Sequence, residues 1–272
     1  MVSQEQRRRQ LAREKFLRQQ QRRTAARRKS RMRNSVIASV LGVIVIGSLA
    51  LYTTGALKDN GSKQENANSE VSPTPPSKAP DPCEKPAEGK VRTATWKKEP
   101  ALTVDKSAKY TMKLATTCGD IDIALKASAA PHTVNSFEFL AGKRYFDHSK
   151  CHRLTTKGIF VLQCGDPTGT GTGGPGYNIP DENLKDKSLK NNIYPAGTIA
   201  MANTGQKNSG GSQFFLVYQD SQLPPSYTPF GTVSESGMKV LKKIAGAGES
   251  TGAGDGAPNA TVVINRATVT KS

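Results

Sequence analysis

Cys151-His152-Arg153-Leu154, Phe160-Val161-Leu162-Gln163 and Gly211-Ser212-Gln213-Phe214-Phe215 are the three stretches from which the rest of the chain can be read. The first two are apolar runs separated by a turn at Gly158, so they read as the strands of a hairpin that sets Arg153 and Gln163 on neighbouring strands. Gly211–Phe215 adds a third strand. A permanently charged guanidinium is thereby placed among apolar and aromatic positions. Taken alone, such an Arg is most often a rim residue paired to a carboxylate.

Outward from these stretches the pattern stays that of short strands. Tyr110–Thr117 and Ile121–Leu125 alternate with period two around a turn at Cys118-Gly119-Asp120, which predicts a hairpin. Pro131–Leu140 carries Val134, Phe137 and Leu140 at helical spacing, with Pro131 where a first helical turn tolerates it. Gly197–Ala202, Gln213–Val217, Thr228–Val233 and Thr261–Thr270 read as further strands, and Met238–Ala245 as a second short helix. Many short strands with only two helices predict an all-β barrel.

These blocks resemble the cyclophilin family of peptidyl-prolyl isomerases, whose signature runs Phe-His-Arg-Ile, Phe-Met-x-Gln-Gly-Gly-Asp, Met-Ala-Asn and Gly-Ser-Gln-Phe-Phe. His152-Arg153, Gln163, Met201-Ala202-Asn203, Gln213-Phe214-Phe215 and Phe230-Gly231 stand here in the same order. The resemblance covers residues 103–272. It implies a closed eight-stranded barrel capped by two helices, and an enzyme that needs neither cofactor nor metal. It further implies Arg153 as the catalytic residue, a proline pocket of Phe160, Val161, Phe215 and Leu223, and Gln163 on the substrate carbonyl. Asn203, with Ala202 and Gln213, would bind the peptide backbone; His152 and Tyr227 would line the rim, and Gly171 would belong to a loop bordering the groove.

The chain departs from the family pattern in four places. The Arg153–Gln163 connection is longer, Val161 replaces Met, the 204–211 loop has one extra residue, and Gln222 replaces a common Trp. These bear on substrate choice and inhibitor fit rather than on the chemistry.

Other chemistries find little support. Gly169-Thr170-Gly171-Thr172-Gly173-Gly174 matches the glycine spacing of dinucleotide-binding loops, but Pro175-Gly176 follows where a helix is required. His132, His148 and His152 lack metal-ligand spacing, and Cys83, Cys118, Cys151 and Cys164 contain no C-x-x-C pair. Cys151-His152 adjacency does not make a catalytic dyad, because successive strand residues face opposite sides.

Charge is unevenly spread. The 272 residues carry a formal charge of +17, yet residues 1–33 hold 13 Lys or Arg and 2 Glu, leaving 26 basic and 20 acidic residues for the other 239. With no aromatic-interleaved basic stripe beside it, this arm does not argue for nucleic acid. The next stretch is uncharged from Asn34 to Leu57, long enough to cross a bilayer as a helix. Cations before it and few after it predict a cytoplasmic N-terminus and an extracytoplasmic remainder.

The reading is therefore a single-pass plasma-membrane protein: basic tail 1–33, transmembrane signal anchor 34–57, disordered Pro/Ser-rich linker 58–101 and catalytic domain 102–272. The triplet Ser48-Leu49-Ala50 leaves a cleaved, secreted form as the alternative. The expected partners are proline-containing peptides and exported unfolded proteins, met by a monomeric domain. A tethered peptide-binding module or chaperone with little turnover is the competing function. In an oxidising compartment four Cys pair more often than they stay free. Cys151 with Cys164 and Cys83 with Cys118 is the pairing expected, with other connectivities open.

Overall fold

The computed structural model describes residues 80–272. The expected membrane span 34–57 lies outside them, and among the described residues no helix is long and apolar enough to cross a membrane.

Two hairpin strands open the domain, β1 (Tyr110–Thr116) and β2 (Gly119–Leu125). Their alternation is realised: Tyr110, Met112 and Leu114 point inward with Ile121, Ile123 and Leu125. Helix α1 (Pro131–Gly142) buries Val134, Phe137 and Leu140 against this core. The carboxylate of Glu182 caps it by accepting the backbone N–H groups of His132 and Thr133, which otherwise have no partner within the helix. Phe137 is the centre of the interior, with the rings of Phe230 at 4.6 Å, Phe146 at 5.3 Å and Phe214 at 5.6 Å.

The remaining strands are β3 (Ser149–Lys150), β4 (Arg153–Thr155), β5 (Val161–Cys164), β6 (Ile193–Tyr194), β7 (Thr198–Met201), β8 (Phe214–Val217), β9 (Ser221–Gln222), β10 (Pro229–Val233), β11 (Asp255–Gly256) and β12 (Val263–Lys271). Helix α2 (Glu235–Gly246) precedes β11 and starts earlier than its apolar spacing shows, because the Ser234 side chain caps it by accepting from Gly237 N–H.

The eight-stranded closed barrel expected from sequence needs correction. The main sheet has ten strands in the order β11-β4-β5-β8-β7-β10-β2-β1-β12-β3, and β6 and β9 pair separately. The expected strand Cys151–Leu154 begins only at Arg153, and a short strand β3 precedes it, because residues 151 and 152 have different neighbours. Cys151 N–H donates to Val262 of the β12 side, whereas His152 N–H donates to Gln163 of β5. Residues 151–152 thus link β3, at one end of the order, to β4, next to the other end. β6, β9 and β11 are two residues each, too short to show alternation.

The disordered linker expected up to residue 101 is also corrected where the structure describes it. Residues 80–101 form no helix or strand but lie on the domain. Cys83 is disulfide-bonded to Cys118, and Trp96 packs its ring edge-on to Phe139 at 5.2 Å. Trp96 N–H donates to the Pro175 carbonyl, and Asn135 Oδ1 accepts from Thr103 and Val104 N–H. A polar composition does not prevent docking once a cross-link and one half-buried aromatic anchor the segment.

Strands β7 and β8 are buried along their whole length, as strands covered on both faces must be. Ile199, Met201, Phe214 and Leu216 face the interior, while Ala200, Phe215 and Val217 face outward into a second cluster with Val161, Tyr194 and Leu223. That outer cluster is the floor of the site.

Candidate active site

Alternation along β5 decides which residues reach the outer face. Leu162 and Cys164 go inward to the main core, so Val161 and Gln163 go outward. The register pairs Arg153 with Gln163 and Gln163 with Phe215, which puts a cation, an amide and an aromatic ring side by side on three adjacent strands. They border a cavity of about 110 Å³ lined by Arg153, Ile159, Val161, Gln163, Ala202, Asn203, Phe215, Leu223 and Tyr227. Phe215 and Leu223 are nearly buried, and Tyr227 stands edge-on to Phe215 at 5.4 Å.

Arg153 is held from two sides. Its Nε and Nη2 donate to the two carboxylate oxygens of Asp255, both at 2.8 Å, and Nη1 donates to Gln163 Oε1 at 3.2 Å. The bond from Arg153 holds the Asp255 carboxyl below the usual range and in return raises the guanidinium further. The Arg is thus both things the sequence offered, a residue paired to a carboxylate and a donor at an apolar cavity. Gln163 Nε2 passes the chain on to Gln213 Oε1, and Gln213 Nε2 donates to the Gly173 carbonyl. Every polar side chain along this line therefore has a partner, which fixes their rotamers.

Next to the cavity lies a groove of about 420 Å³ that shares Gln163, Ala202 and Asn203 and is walled by Gly171–Tyr177 and Gly211–Gln213. Its Gly-rich wall is wound on one carboxylate. Asp166 is fully buried and accepts from the N–H groups of Thr168, Thr170, Gly171 and Gly173 and from the Thr168 hydroxyl. A Cβ at Gly173 would collide with Asp166 Oδ1, so only glycine permits that approach. Burial by itself would raise the Asp166 carboxyl, but the Thr168, Gly173 and Gly171 donors outweigh it and bring it down to about 2.

A depressed carboxyl stabilises the fold above its unfolded value, and that contribution is lost as pH falls from about 4 towards 2. It amounts to about 2 kcal/mol. We expect the Gly171 and Gly173 amide NMR signals to move with a midpoint near the folded value, and Asp166→Asn to abolish that titration. Signals that stay flat between pH 4 and 2 would refute this role.

Two expected site residues fall elsewhere. Phe160 does not line the cavity: it is half-buried with its ring 5.9 Å from that of Tyr218, and Ile159 takes its place. Both precede β5, so its alternation does not govern which of the two faces the cavity. His152 lines neither cavity nor groove. Its ring adjoins Gly171, neither nitrogen has a hydrogen-bond partner among the described residues, and burial, with Arg153 adding to it, pushes its ionisation down. Asn203 lines the cavity; its side-chain amide is oriented by the Ser226 carbonyl and Gly205 N–H and, like Gln163, retains a second N–H hydrogen.

The disulfide Cys151–Cys164 bridges the residues beside His152-Arg153 and Gln163. Among the described residues no group of His, Cys, Asp and Glu could hold a metal ion. The family model "Cyclophilin type peptidyl-prolyl cis-trans isomerase/CLD" matches residues 111–269, the span that contains the whole outer-face site. The chain belongs to the cyclophilin-type peptidyl-prolyl cis-trans isomerase family.

Among curated proteins it is 48% identical over 200 residues to "Probable peptidyl-prolyl cis-trans isomerase B" of Mycobacterium leprae, covering 70% of this chain and 63% of the relative. It is 40% identical to "Peptidyl-prolyl cis-trans isomerase B" of Bacillus subtilis over 126 residues, 46% of this chain and 82% of that one. The aligned region thus spans less than two thirds of the mycobacterial relative and most of the Bacillus one. Among solved structures, a Cryptosporidium parvum cyclophilin crystallised in the presence of the dipeptide Ala-Pro matches with TM-score 0.50 and 27% identity, over 60% of this chain and 99% of that one.

Proposed function

We propose that the domain catalyses cis–trans rotation about X-Pro bonds. The observation that carries this reading is a guanidinium with a fixed orientation at the edge of a small cavity floored by Val161, Phe215 and Leu223. Rotation breaks no bond. The barrier is about 18–20 kcal/mol and arises from the double-bond character of C–N. It falls when a donor meets the prolyl nitrogen as it pyramidalises, and when a dry site favours the less polar twisted amide.

Arg153 supplies the donor, since a guanidinium stays charged and presents its N–H groups in a rigid plane. Ile159, Val161, Phe215, Leu223 and Tyr227 hold the proline ring and exclude water. Gln163, already oriented by Arg153 and Gln213, retains a second Nε2 hydrogen for the substrate carbonyl. A 10⁵-fold acceleration needs only about 7 kcal/mol. The test is exchange NMR on a short Pro peptide with the full chain in detergent. We expect cis–trans exchange faster than the uncatalysed ~10–100 s at micromolar protein; binding without faster exchange would favour the tethered peptide-binding module.

We further propose that residues 34–57 tether a monomeric domain to the outer face of the plasma membrane, where exported unfolded proteins are its substrates. The 13 cations before an uncharged run support the orientation, and two disulfides suit an oxidising compartment. A membrane-impermeant protease applied to intact cells should remove the domain; protection would overturn this topology.

A further inference from the structure

We propose that Asp255 is a positioning residue of this site, acting through Arg153. An unrestrained Arg side chain samples many rotamers, and a donor aimed at a transient charge is effective only if it is held in place beforehand. Asp255 provides that restraint with a two-point contact. Both carboxylate oxygens are engaged, at 2.8 Å each, by Nε and Nη2. Of the five guanidinium N–H groups, these two and the one on Gln163 are occupied, which leaves one on Nη1 and one on Nη2 for a substrate.

The placement of Asp255 is built, not incidental. Residue 255 is opposite Thr155 in the β11–β4 pairing, so Arg153 is its diagonal neighbour on one sheet face, within reach of long side chains. The preceding loop is wound on Glu249, which is buried and accepts from the N–H and hydroxyl of Thr251 and the N–H of Gly254. Gly254, at φ 104°, passes against the Lys157 stem, where a Cβ would collide. Lys157 Nζ in turn donates to the Gly252 carbonyl. The carboxylate itself is 57% exposed and its Arg 38%, and so open an ion pair contributes little to stability. Orientation is what it contributes.

The inference rests on the isomerase reading, and the experiment separates the two. Asp255→Ala is expected to lower kcat/KM on a Pro peptide by about tenfold, the order expected for losing one fixed rotamer, with Tm unchanged. Asp255→Glu should restore part of the loss. Asp255→Asn should restore little, because its NH₂ would face Nη2. In the Arg153→Ala background, Asp255→Ala should cost nothing more, whereas a role independent of Arg153 would make the two losses multiply. Independently of turnover, the Arg153 Nε–Hε NMR signal should be protected from solvent exchange in the wild type and lose that protection in Asp255→Ala. Unchanged kcat/KM, multiplying losses, or an Nε–Hε signal indifferent to Asp255 would each overturn the proposal. An inactive wild type with an Asp255-dependent signal would instead remove the isomerase reading and leave the positioning intact.

Discussion

Arg153→Ala is expected to reduce kcat/KM for X-Pro isomerisation by about 10²–10³-fold, the loss typical of removing one preorganised donor from a transition-state site. The fold should hardly notice. Arg153 lies on the outer face and its ion pair with Asp255 is largely solvated, so the stability cost is about 1 kcal/mol or less. For a domain of this size that is a Tm change of no more than about 2–4 °C. Arg153→Lys should recover little activity, because an ammonium cannot engage both Asp255 oxygens and Gln163 while facing the cavity. Parallel kinetics and thermal melts decide the matter. A variant that keeps a third of its activity, or one whose melting temperature falls in step with its activity, would mean that Arg153 is only a rim residue.

Removing the Cys151–Cys164 bridge should have the second large effect, and one that differs in kind from removing Cys83–Cys118. The chain-entropy account of a cross-link depends on loop length, and the two bridges close loops of 13 and 35 residues. It gives about 3 kcal/mol for the shorter and about 4 kcal/mol for the longer. Cys151→Ala/Cys164→Ala should therefore lower Tm by about 6–12 °C. Only this pair lies beside the site, for Cys151 precedes His152-Arg153 where the chain crosses from β12 to β5, and Cys164 follows Gln163. We expect its loss to reduce kcat/KM several-fold at a temperature where the variant remains folded. The Cys83→Ala/Cys118→Ala variant should be destabilised at least as much, yet stay as active as the wild type. Equal effects of the two double variants on turnover would show that the inner bridge merely stabilises the fold.

Much of the site was legible because β structure repeats every two residues. Once 151–154 and 160–163 are taken as paired strands, Val161 and Gln163 must share a face, and the Arg153–Gln163 register follows from one turn at Gly158. The same rule does not reach residues 159 and 160, which precede β5: Ile159 lines the cavity and Phe160 stands beside Tyr218. His152 is a different case. It sits where the chain leaves one neighbouring strand for another, and there alternation no longer says which way a side chain points.

The sequence by itself determined the all-β class, the two helices, the β1–β2 hairpin and the apolar and aromatic residues available to the site, because these depend on periodicity and turn chemistry within a few residues. Tertiary structure alone decided that the sheet has ten strands rather than eight, that residues 80–101 are docked, and that Asp255 meets Arg153. Those outcomes rest on pairings between distant segments. Arg153 and Asp255 are 102 residues apart, and nothing in Gly252-Ala253-Gly254-Asp255-Gly256 signals a partner until β11 is hydrogen-bonded to β4. Two-residue strands carry no period, and a contact made by one carboxylate across the fold leaves no pattern in the chain.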